Sequence, residues 1–115
     1  MSFARKKLGQ SGEDLALEYL QKKHYHLIER NLRLFCGEID LLMQDGQTLV
    51  IVEVKTKSNT NLGLAEEEVD YHKQKKLLTL ARALICQFPH QSVRIDVVAI
   101  NNGQINHVIN AVEEN

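Results

Sequence analysis

Aromatic residues are scarce, at 5% of the chain, which leaves little material for a surface that stacks successive bases. Tyr25 and Phe35 are therefore expected in the core. No stretch is rich in proline, glycine or serine, and no segment is repeated or of low complexity. The 115 residues are read as one domain, 1–115, with no linker. The two cysteines, Cys36 and Cys86, lack a CxxC neighbour. That argues against a disulfide framework or a zinc site, and for free thiols in a reducing cytoplasm. No apolar run approaches the roughly 20 residues that cross a bilayer. The opening "MSFARKKLGQSGED" has basic residues with no apolar run behind them, so neither a membrane span nor a secretory signal is expected. A dominant charge is also missing. At a net −1 the molecule as a whole does not advertise a polyanionic partner.

What charge there is comes in clusters: Arg5, Lys6 and Lys7; Lys73, Lys75 and Lys76; and the acidic run Glu66, Glu67 and Glu68. Each alone reads as an ordinary solvated helix face. Ser11, three residues before Asp14, resembles a capping box and places a helix start there, with Glu13 on the face of Leu17 and Leu20. "YHLIERNLRL" has strand composition and leads into a hairpin; "SVRIDVVAI" is a strong strand, turned by "NNG" (101–103) toward "QINHVINAV". Val69, Leu77, Leu80, Ala81, Leu84, Ile85 and Phe88 predict a helix over about 66–88, stopped by Pro89, after a polar surface loop "SNTNLGLA". The order is helix, three strands, helix, two strands. Short connections make the first three strands antiparallel, and the long crossover favours a parallel pairing next. An α/β fold follows, a mixed sheet flanked by helices.

The stretch "GEIDLLMQDGQTLVIVEVKTK" (37–57) puts Asp40, Glu53 and Lys55 inside apolar runs, where desolvating a charge is expensive. With a two-residue turn at Asp45-Gly46, or a four-residue one with the same pairing, Leu42 faces Leu49, Asp40 faces Ile51, and Glu53 is the diagonal neighbour of Asp40, about 7–8 Å away. Lys55 follows on the same face, and Val50, Val52 and Val54 point to a second apolar layer. A three-residue turn would instead send Asp40 to the other face. Two carboxylates converging in a partly dry site repel, and a divalent cation with oxygen ligands relieves that conflict. Mg²⁺ (or Mn²⁺) held by Asp40 and Glu53, with Lys55 orienting water and Glu13 as an outer carboxylate, suits phosphodiester hydrolysis. The competing reading is an exposed Glu53–Lys55 ladder on a one-sided sheet.

"GEID", "VEVKTK", "SGEDLALEYL" and "HKQKKLLTLARALI", in that order from about Gly9 to Ile100, resemble the YraN-like family of bacterial proteins. The resemblance implies a restriction-endonuclease-like αβββαβ core, similar to Holliday-junction resolvases. It matches Asp40 to the motif acid, Glu53 and Lys55 to the ExK signature, and Glu13 to the acid of the first helix. It further implies the Val54 carbonyl as a metal ligand, and Lys73 with Gln74 as substrate contacts. Lys57 stands where arginine is common, keeping the charge without the bidentate geometry. "RID" (94–96) resembles a family motif whose Asp96 is expected to be structural. The acidic "EEEVDYHKQ" departs from the family pattern and argues against strong DNA contact there.

The function implied is a Mg²⁺-dependent endonuclease acting on DNA, including branched or recombination intermediates. The alternative is a non-catalytic nucleic-acid-binding accessory protein beside a helicase or recombination factor. A purely structural interaction module is the third reading. A homodimer is expected because a symmetric branched substrate needs two sites. His24 and His26, one residue apart, are expected to face water rather than to pair on a metal, and Cys36 to be a small packed thiol.

Overall fold

Residues 2–114 are described in this computed structural model, with side chains from Gly12 to Glu114. Helix α1 spans Ser2–Lys22. Ser11 therefore lies within a helix already under way and is not its cap, a correction to the expected start. The Arg5–Lys7 cluster lies outside the described side chains. Gly12, Ala16 and Leu20 are buried on one stripe of α1, with Leu17 and Tyr19 beside it.

Strands β1 (His26–Leu34), β2 (Gly37–Asp45) and β3 (Thr48–Lys57) form the antiparallel meander. The second helix, α2 (Tyr71–Gln87), crosses over to β4 (Ser92–Asn101), which runs parallel to β3. The Asn102-Gly103 turn, with positive φ at both residues, returns the chain antiparallel as β5 (Gln104–Val108). The sheet order is β1-β2-β3-β4-β5. This is the α/β architecture with a mixed sheet expected from the element order, consistent with a restriction-endonuclease-like core.

The central strands are covered on both faces, so they read as near-continuous apolar runs. Ala16 and Leu20 of α1 pack on Leu41, Met43, Val50 and Val52. Leu77, Leu80 and Leu84 of α2 pack on Ile39, Leu42, Ile51 and Ile95 from the other side. The valines of β3 do enter a second layer, and that layer belongs to α1.

Two local expectations are corrected. Asp45 pairs with Thr48 and Leu42 with Ile51, so the hairpin turns at Gly46-Gln47, where Gly46 has a positive φ. Moving the turn by one residue shifts every partner by two, so Leu42 faces Ile51 in place of Leu49. The segment before α2 is also not one long helix. A 3-10 turn, Ala65–Glu68, comes first, and Asp70 then caps α2 by accepting the Lys73 N–H at 2.9 Å. The acidic run is a dock: Glu66 accepts from Asn101 and Asn106, both at 2.7 Å, and Glu68 pairs with Lys57 at 3.5 Å. The chain does leave α2 before Pro89, and the 58–64 loop is largely exposed, as expected.

Candidate active site

Strands β2 and β3 pair from Asp45/Thr48 as far as Leu41/Val52. The pairing ends there, one residue short of Asp40, and Ile39 and Leu41 on either side of it pack into opposite core layers. Here the Val54 N–H donates to the Asp40 carboxylate at 2.9 Å. A side chain thus takes a hydrogen-bond role on the strand backbone, and it anchors the acid against its neighbour strand.

Glu53 alternates with Ile51 and so faces α2, where it is 3% exposed. A carboxylate that dry needs charged company. Lys73 of α2 places Nζ 3.0 Å from Glu53 Oε2, and Lys55 places Nζ 3.9 Å from the same oxygen. Burial first, and then the Asp40 charge, raise the Glu53 pKa from 4.5 to about 7, with Lys73 and Lys55 pulling against them. The exposed-ladder reading of Glu53 and Lys55 is excluded by this burial.

Glu13 reaches the cluster from α1. Burial raises its pKa, and the Asp40 charge adds to that, while Arg30 opposes both. Arg30 lies 3.6 Å from Glu13 and 2.8 Å from Asp14, so it ties α1 to β1 beside the acids. Asp40 is therefore close enough to act on an acid from each helix side of the sheet. Gly12 makes this approach possible: a Cβ there would fall 2.4 Å from the Thr56 hydroxyl oxygen.

The remaining expected contacts are placed less centrally. Lys57 is half-buried and also approaches the Gly63 carbonyl at 3.5 Å, so its charge is shared with the loop after β3. Gln74 donates its side-chain amide to the Val69 carbonyl at 3.1 Å. It also lines a concavity with Glu66, Val69 and Val97, and Val97 is the cross-strand partner of Glu53. A separate groove, bordered by Leu78, Ala81, Val93 and Val112, lies apart from the acids.

The donors suit a small hard cation. Among the described residues no three His, Cys, Asp or Glu side chains converge as a metal cage. Asp40 and Glu53 supply two carboxylates, and burial first, with the Asp40 charge second, disfavours the charged form of Glu53. Mg²⁺ commonly binds through one or two carboxylates and keeps several waters, which fits this pair.

Sequence reasoning did not anticipate a second polar cluster on the α1 side. Asp96, 0% exposed, accepts from Arg94 Nε at 2.9 Å, from the Asn110 N–H at 3.0 Å and from Tyr25 OH at 3.2 Å, and it meets His107 Nε2 at 2.8 Å. Arg94 also donates to the Tyr25 hydroxyl at 2.6 Å and pairs with Asp45 at 3.0 Å. Asp96 and His107 are buried and partnered, in line with a structural Asp96. No local signal marks the cluster, because its members come from β2, β4, β5 and the turns before β1 and after β5. Tyr25 is in the core as expected, whereas Phe35 is 95% exposed at the β1–β2 turn, contrary to expectation. Alternation explains the difference: Leu32, Leu34 and Cys36 pack inward against the α2 layer, which leaves Phe35 pointing out. His24 and His26 are exposed, and Cys36 is partly packed. Among the described residues no helix is long and apolar enough to cross a membrane.

Residues 12–100 match the family model of uncharacterised protein family UPF0102. A UPF0102 protein of Herminiimonas arsenicoxydans is 47% identical over 111 residues, covering 96% of this chain and 90% of that protein. One from Thermodesulfovibrio yellowstonii is 44% identical over 109 residues, covering 94% and 97%. One from Persephonella marina is 39% identical over 107 residues, covering 91% and 92%.

Proposed function

The chain belongs to the UPF0102 family, and within it we propose a Mg²⁺- or Mn²⁺-dependent endonuclease that hydrolyses phosphodiester bonds of DNA, branched or recombination intermediates included. One observation carries this reading. Glu53, 3% exposed, is met by the Lys73 ammonium at 3.0 Å and the Lys55 ammonium at 3.9 Å, next to an Asp40 carboxylate anchored on the Val54 N–H at 2.9 Å. Asp40, Glu53 and the Val54 carbonyl would hold the cation, which would polarise phosphate oxygens and activate water. The protein's own groups do the rest. The Val54 N–H holds Asp40 in one orientation. Lys55 presents an ammonium beside Glu53, placed to orient a water and to offset charge on a pentacoordinate phosphate. Glu13 adds negative charge on the α1 side, and Lys57 and Gln74 border the approach for substrate.

The test is incubation with junction, flap, single-strand and duplex DNA in Mg²⁺ or Mn²⁺. Wild type should cut at least one of them, and Asp40→Asn, Glu53→Gln and Lys55→Ala should each lose on the order of 10²-fold or more in rate. Full activity in any of the three, at matched purity and fold, removes this mechanism.

A second reading has its own support. Lys73 and Lys55 already balance Glu53 without a metal, as in an accessory protein that binds DNA and does not cut it. That protein would bind DNA in a salt-dependent way and give no heat on titration with Mg²⁺ or Mn²⁺. We extend the first reading to a homodimer when branched DNA is the substrate; light scattering that shows only monomer, with and without junction DNA, would refute the extension.

A further inference from the structure

Lys73 is the third residue of α2, and its backbone is pinned by the Asp70 cap. Its side chain is only partly covered, yet its ammonium makes a closer contact with Glu53 Oε2 than Lys55 does, 3.0 against 3.9 Å. The two lysines share the same flexible four-carbon stem and differ in where they start: Lys55 rises from β3 beside Glu53 itself, whereas Lys73 reaches across from the first turn of α2. A positive group 3.0 Å from a carboxylate oxygen competes directly with any divalent cation that uses the same carboxylate.

We propose that Lys73 is a displaceable counter-ion. It neutralises Glu53 while no divalent cation is held, and swings to a substrate phosphate when one is, so that metal and nucleic acid each raise the affinity for the other. This rests on reading Asp40 and Glu53 as cation ligands and adds to it a role for a helix residue. The coupling is reciprocal, as any linkage between two binding equilibria must be. It has a direct structural cause: one ammonium cannot lie against Glu53 and against a phosphate at once.

The experiment is calorimetric titration of the full chain with Mn²⁺ at pH 8.5, without nucleic acid. It compares wild type, Lys73→Met, Lys73→Gln and the exposed control Lys75→Met. The two Lys73 variants should bind Mn²⁺ about tenfold more tightly than wild type, with Lys75→Met unchanged. A lysine needed only to hold α2 in place would, on removal, loosen the site and weaken binding. Fluorescence anisotropy with junction DNA in Ca²⁺ supplies the second arm. Ca²⁺ should tighten DNA binding by wild type several-fold more than by either Lys73 variant. Equal or weaker Mn²⁺ binding in both folded Lys73 variants overturns the counter-ion role and leaves the cation site standing. No Mn²⁺ binding by any of the four proteins overturns both.

Discussion

The Asp40 carboxylate accepts the backbone N–H of Val54, at 2.9 Å, across the end of the β2–β3 pairing. The motif acid of one strand is thereby bound to the residue that separates Glu53 from Lys55 on the next. The proposed cation ligand and the strand backbone share one hydrogen bond, so substitutions at Asp40 report on both.

Asp40→Asn keeps an oxygen acceptor for Val54 and should change stability by less than about 0.5 kcal/mol, while abolishing divalent-cation binding. Asp40→Ala removes the acceptor and should cost about 1 kcal/mol, at the low end for a lost hydrogen bond because Asp40 is half-exposed. Urea unfolding beside Mn²⁺ calorimetry checks the pair. Equal stability losses in both variants would show that the Val54 contact is not made in solution.

Glu53 dictates a pH dependence. Burial, with the Asp40 charge behind it, raises its pKa to about 7 from 4.5. The folded state therefore holds a proton that the unfolded state releases between those values. The stabilisation is full below pH 4.5 and is lost as pH rises through 7, by up to about 3 kcal/mol. Unfolding free energies at pH 5 and pH 8 should thus fall more for wild type than for Glu53→Gln, which cannot titrate. Parallel pH profiles for the two proteins would place Glu53 in an ordinary solvated setting.

The Asp96 cluster predicts a stability effect of a different size. Burial acts to raise the Asp96 pKa, but His107, Arg94 and the Asn110 N–H outweigh it and hold the pKa below its ordinary value. Asp96→Ala removes the acceptor shared by Arg94, Tyr25, His107 and the Asn110 N–H and leaves Arg94 only Asp45 as an acidic partner among the described residues, at a cost of about 3–5 kcal/mol. The thermal midpoint should drop by more than 10 °C, at roughly 4–8 °C per kcal/mol for a domain near this size. A loss of Mn²⁺ binding by folded Asp96→Asn at low temperature would instead put Asp96 in the catalytic machinery.

Gly12 sits where α1 crosses β3, and the prediction there is a double-mutant cycle. Alanine normally gains about 1 kcal/mol over glycine inside a helix. At Gly12 its Cβ would meet the Thr56 hydroxyl oxygen at 2.4 Å, so Gly12→Ala should cost about 1–2 kcal/mol instead. In a Thr56→Ala background the same change should become neutral or stabilising. Additive effects in the cycle would mean that α1 and β3 are not in contact at this point.

Much of this architecture is legible in the chain. Period-two alternation in "TLVIVEVKTK" puts Glu53 and Lys55 on one face whatever the fold around them. Apolar residues on both faces of β2 and β3 announce a sheet covered on two sides. The helix spacing before Pro89 is equally local, and so is the element order that leads to a mixed sheet. These features depend on the geometry of a few consecutive residues, which the sequence carries within itself.

Only the tertiary structure decided the rest. The hairpin turns at Gly46-Gln47 because pairing along the whole strand outweighs the local preference for Asp45-Gly46, and Asp40 meets β3 through the Val54 N–H. Lys73 meets Glu53 because α2 lies at one particular height over β3, a relation between residues 20 positions apart that no periodicity contains. The Tyr25–Asp96 hydrogen bond joins residues 71 positions apart. A face follows from local period. A partner across space follows from how separate elements pack, and packing is decided by the whole molecule at once.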